Sequence, residues 1–153
     1  MTAQTNMNGP QRIPGLTKAN ARQLVQLVEM VAEEAGMESR AIYGPDQDQH
    51  AVAFRRALWW CFREGYLMTY ENISKLFLSS NGGHFNHTSI MTGCKKVQEE
   101  AMLVFSDRKG QWVARATQAP CSDVRLREAL QIVASVWNEL NPYNRLNTWT
   151  NSH

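Results

Sequence analysis

The chain has 153 residues, 43% of them hydrophobic and 20% charged, a balance that supports one packed domain and excludes wholesale disorder. No apolar run approaches the roughly 18 residues of a membrane-spanning helix, since even Ala57–Phe62 is flanked by Arg55, Arg56 and Arg63. The net charge is only +2, and it is unevenly spread. Residues 21–50 set Arg22 and Arg40 against Glu29, Glu33, Glu34, Glu38, Asp46 and Asp48, a net of −4 that leaves +6 for the rest.

Residues 1–16 are polar, carry Gly9, Pro10, Pro14 and Gly15, and are expected to form a flexible N-terminal segment rather than a secretory signal. Cys61, Cys94 and Cys121 are odd in number and far apart, which points to the reducing cytoplasm and away from a disulfide scaffold.

A helical period begins at Thr17, a reasonable N-cap. It runs through Leu24, Leu27, Val28, Val31 and Ala35 to a stop at Gly36. Glu38–Tyr43 predicts a helical turn or two, ended by Gly44-Pro45. Asp48 is placed to cap the next helix, Ala51–Gly65, where Phe54, Leu58, Cys61 and Phe62 make one stripe that Trp59 and Trp60 widen. Both indoles cannot face inward equally, so one is expected to cover an appended helix. A short helix follows over Tyr70–Leu78, with Ile73, Leu76 and Phe77 inward. The run SSNGGHFN is a long turn, and Asn86 caps a helix from His87 to about Phe105, with Ile90, Met91, Cys94, Val97, Ala101 and Val104 inward.

Residues 110–121 read as a linker, 122–141 as an amphipathic helix and 142–153 as a tail, with no convincing strand anywhere. In the last helix Leu126, Leu130, Val133, Trp137 and Leu140 form a heptad seam. That seam serves either packing on its own domain or a homodimer. The expected fold class is all-α, with a domain over residues 17–109.

The chemistry of an enzyme is missing. No glycine precedes a lysine, so there is no phosphate-cradling GxxxxGK[ST] loop. GxSxG, HExxH and CxxC are absent as well. His84, His87 and Cys94 lie close in sequence but lack a further donor for a zinc site. Neither metal, cofactor nor catalysis is expected.

Two helices joined by a turn, the second opening on short polar side chains, outline a helix-turn-helix. Asn86, His87, Thr88 and Ser89 supply short donors and acceptors for base edges, while the opposite face stays apolar. Lys95 and Lys96, two turns on, suit a phosphate strand.

The run NHTSIMTGCKKVQE resembles the signature of the C-terminal DNA-binding domain of the bacterial replication initiator DnaA. Asn86-His87-Thr88-Ser89 stand at the family's Asp-His-Thr-Thr opening, Gly93 at its small residue and Lys95-Lys96 at its basic pair. Upstream, RRALWWCFREGYLMTYENISKLF is similar to the family's long helix and Ile-Gly-x-x-Phe helix, with Ile73 and Phe77 in place and Ser74 for the glycine. The resemblance covers roughly residues 20–105. It implies a fold related to the Trp repressor and a double-stranded DNA target. Asn86, His87 and Thr88 would read bases, and Lys95 and Lys96 would touch the backbone.

Three departures alter that expectation. Asn86 replaces an acceptor-only carboxylate with an amide that also donates, which suits adenine better than cytosine. The family's basic loop before the long helix is here GPDQDQHAVAF, without Lys or Arg, leaving Arg55 and Arg56 as the nearest cations for phosphate. The turn Ser79–His84 is longer than the family's and must bulge or add a contact, through His84 or the Gly82-Gly83 amides. The family's ATPase module has no counterpart, so the resemblance implies a freestanding reader, suited to a phage, a mobile element or a chromosomal regulator of transcription or replication. An interaction or adaptor protein that kept this fold and lost DNA is the alternative, favoured by the acidic segment and low net charge.

Overall fold

The computed structural model describes residues 18–45, 48–77, 79, 83–114 and 123–141. In chain order these form α1 (Lys18–Ala35), α2 (Ser39–Tyr43), α3 (Gln49–Gly65), α4 (Tyr70–Ser74) and α5 (His87–Glu100). They continue with β1 (Leu103–Ser106), β2 (Gln111–Ala114) and α6 (Val124–Leu140). The described part is mostly helical, in keeping with an all-α class, with one small hairpin added.

Local chemistry explains the helix starts. The Asp48 carboxylate accepts from the backbone N–H of His50 and Ala51, Thr69 Oγ1 accepts from Asn72, and Asp123 accepts from Leu126. Each satisfies donors that the first helical turn leaves unpaired. The predicted cap at Thr17 lies outside the described residues, as do residues 1–16 and the tail 142–153.

Helix α3 is central. Ten of its residues, from Ala51 through Phe62, are buried because α2, α4, α5 and α6 surround it. Trp59 and Trp60 are therefore both buried, at 4% and 2% exposure, which corrects the expectation of unequal burial. Trp59 meets the edges of Phe77 and Phe85, while Trp60 lies 4.8 Å from Trp112 in β2. Trp60 thus packs on the hairpin, and its Nε1 donates to Gln98 Oε1 on α5 at 2.8 Å.

Two expectations about the later chain need correction. The helix predicted to reach Phe105 ends at Glu100, and Ala101 is already extended (φ −68°, ψ 133°). Leu103–Ser106 then pairs antiparallel with Gln111–Ala114, so strands exist where none was expected and β2 occupies the start of the supposed linker. The four residues between the strands turn at Gly110 (φ +66°), a left-handed conformation natural to glycine. Residues 115–122 lie outside the described ones. Helix α4 also ends earlier than predicted, at Ser74 rather than Leu78.

The heptad seam of α6 is turned inward. Leu126, Leu130, Val133 and Trp137 are each 3% exposed or less, within the core shared with α1 and α3, and Leu140 packs half-buried against it. A homodimer through Leu126, Leu130, Val133, Trp137 and Leu140 is thereby corrected, since those side chains are already spent inside one chain.

Candidate nucleic-acid interface

The candidate surface is built where α5 starts. Asn86 is its N-cap: the side-chain Oδ1 accepts from the Thr88 backbone N–H at 2.7 Å, which fixes the amide orientation. Asn86, His87, Thr88 and Ser89 are all exposed, whereas Ile90, Gly93, Cys94 and Val97 on the opposite face are buried. The first turn therefore projects polar groups from a helix that its other side anchors.

Helix α5 sits close to α3 because residue 93 has no side chain. A Cβ there would lie 2.8 Å from the Trp59 ring. The approach leaves a cleft of about 410 Å³ between the two helices, bordered by Arg56 on α3 and by Thr88, Ser89, Thr92 and Lys96 on α5. Thr92 was missed by the sequence analysis. It is exposed one helical turn beyond Thr88 and Ser89, a position the helical period alone would have pointed out.

The predicted cations divide. Lys95 is exposed and Arg56 is half-buried on the cleft wall. Lys96 reaches the same cleft but pairs with Glu100 at 3.2 Å, a partly exposed pair of small energetic weight. Arg55 also borders this cleft, but its guanidinium is engaged by the fold. Only 3% exposed, it donates from Nε to the Ile42 carbonyl and from Nη2 to the Ala41 carbonyl, each at 2.9 Å. Its guanidinium also lies 5.7 Å from the centre of the Phe85 ring. Arg55 thus closes the end of α2, and the expectation that it contacts phosphate is corrected.

The long turn folds back on the core. Phe85 N–H donates to the Phe77 carbonyl, Ser79 N–H donates to Gly83, and His84 Nδ1 lies 3.3 Å from the same Phe77 carbonyl. His84 is exposed but engaged in the turn; Asn81, Gly82 and their neighbour Ser80 lie outside the described residues.

Cys61 and Cys94 offer no nucleophile. Burial pushes the Cys94 thiol up to about 12, with Glu64 adding to the rise and Arg63 opposing it. Burial drives Cys61 well above its ordinary value too, so both are neutral thiols near pH 7. Among the described residues no three His, Cys, Asp or Glu side chains gather as metal ligands. No helix among them is long and apolar enough to cross a membrane.

Compared with protein-family models, curated proteins and solved structures, the chain gives no match.

Proposed function

We propose that this is a sequence-specific double-stranded DNA-binding protein, a transcription or replication regulator of the DnaA C-terminal helix-turn-helix type. It would set the start of α5 in the major groove. The observation that carries this is the exposed polar turn Asn86–Ser89 at the tip of a helix whose opposite face is anchored in the core. Helix α4, the turn and α5 supply the motif, with α3 behind them. Asn86 Oδ1 caps the helix with one lone pair, and its second lone pair together with the amide N–H groups suits an adenine edge. His87 and Thr88 read neighbouring bases, while Lys95, Lys96 and Arg56 meet phosphates and set register.

The test is selection of random duplex DNA on the purified protein at two salt concentrations. The expected result is one enriched motif, bound less tightly at the higher salt. His87→Ala combined with Lys95→Ala should abolish the enrichment while leaving the fold intact, since both side chains are exposed. Absence of enrichment together with absence of low-salt binding would overturn the proposal.

A second reading, an adaptor that docks on protein instead of DNA, draws on a different face. Glu29, Glu33, Glu34 and Glu38 are all exposed, and Leu67 and Val104 leave apolar side chains in solvent beside one cleft. It predicts that the double variant changes nothing.

A further inference from the structure

The cleft beside α5 does not end at Arg56. Val52 and Arg56 also line a second cleft of about 330 Å³, which lies between the start of α3 and the start of α6. Its α3 wall adds Gln49, and its α6 wall is Arg125 and Leu126. The two clefts adjoin at Val52 and Arg56, so Lys96, Arg56 and Arg125 lie along one path over the surface from the exposed turn of α5 to the last helix. Among the described residues one carboxylate borders the path, that of Asp123, and its Oδ1 accepts from the Leu126 backbone N–H. Arg125 itself is exposed, and neither it nor Arg56 is ion-paired among the described residues.

The charge of this path has a consequence. The loop ahead of α3 contains no lysine or arginine between Tyr43 and Arg55, and Arg55 is buried. Apart from Arg56 on α3 itself, an arginine or lysine beside the start of α3 must come from elsewhere in the fold, and α6 brings Arg125 there. We infer that Arg125, with Arg56, binds the phosphodiester backbone of duplex DNA next to the segment that α5 occupies. The helix at the end of the chain is then part of the DNA surface. This inference rests on the DNA-binding proposal above. It adds a backbone contact, not a base contact, so its effect is independent of sequence.

A random-sequence 30-base-pair duplex is therefore the probe, titrated from 50 to 200 mM salt. Each phosphate contact contributes about 0.9 to the slope of log affinity against log salt, so losing one shrinks the affinity drop across that range about 3.5-fold. Arg125→Gln is expected to show that shrinkage. The charge-matched control is Arg108→Gln, in the exposed hairpin turn. That turn adjoins the other end of α6, where Gly110 accepts from Trp137 Nε1. The control is expected to keep the wild-type slope. Equal slopes for Arg125→Gln and Arg108→Gln, with wild-type DNA binding intact, would overturn this inference alone. A wild-type protein that does not retain the duplex at 50 mM salt would overturn both it and the proposal beneath it.

Discussion

Gly93 shows how a single missing side chain sets the geometry of the candidate surface. In the middle of a helix, alanine is normally the better residue by about 1 kcal/mol, because glycine loses more backbone freedom. Here the added methyl would meet the Trp59 ring at 2.8 and 2.9 Å. That ring has little room to give, being wedged edge-on against Phe77 and Phe85 at centroid distances of 5.8 and 5.1 Å. Overpacking of this kind costs about 1–3 kcal/mol, which outweighs the propensity gain. Gly93→Ala is therefore expected to lower stability in chemical denaturation, by up to about 2 kcal/mol after the propensity gain is set against the clash. A stabilised variant would mean that α5 stands further from α3 than described. Arg55 teaches the complementary lesson. Sequence places it beside Arg56 as a free cation, yet the α2 carbonyls it satisfies are many residues away and carry no local signature.

At the scale of elements, the helices were legible because their signals are local. Caps at Asp48 and Asn86 sit where short polar residues precede apolar periods, and each is used. The hairpin was hidden because Val97, Ala101 and Val104 continue a helical step without a glycine or proline to interrupt it. What decides for strands is distant. Trp112 must be buried against Trp60, Phe105 and Trp137, and the edge of β2 is received by α6. There Asn138 Oδ1 accepts from the Trp112 backbone N–H, and Asn138 Nδ2 donates to the Trp112 carbonyl, both at 2.9 Å. One side chain thus completes a strand edge that would otherwise lack partners. Asn138→Leu is similar in size but can make neither bond. It should cost about 1–3 kcal/mol by leaving the two partly buried backbone groups unsatisfied. Hydrogen exchange would localise the loss to residues 103–114; unchanged protection there would disprove the clamp.

Across the whole molecule, the turn that reads DNA under our proposal depends on a helix at the far end of the chain. Helix α5 is positioned by α3, and α3 is held from its other side by α6, which also packs on α1. The signature that points to DNA lies wholly upstream, so sequence makes residues 122–141 look like an appendage. The core says otherwise, because Leu126, Leu130, Val133, Val136 and Trp137 share one buried cluster with Leu24, Leu58 and Phe62. Burying a large apolar side chain is worth about 1.5–3 kcal/mol. Losing these five would therefore remove about 7–15 kcal/mol, as much as the entire net stability of an ordinary domain. The partners left on α1 and α3 would face water as well. A chain ended after residue 122 is expected to melt without a cooperative transition by circular dichroism. It should also lose any DNA binding the full chain has, although every residue of the α5 surface remains. A sharp melt would instead show that α1–α5 and the hairpin fold alone. In that case α6 would matter to DNA through its own side chains, and the truncated chain should bind with a salt slope at least as shallow as that of Arg125→Gln.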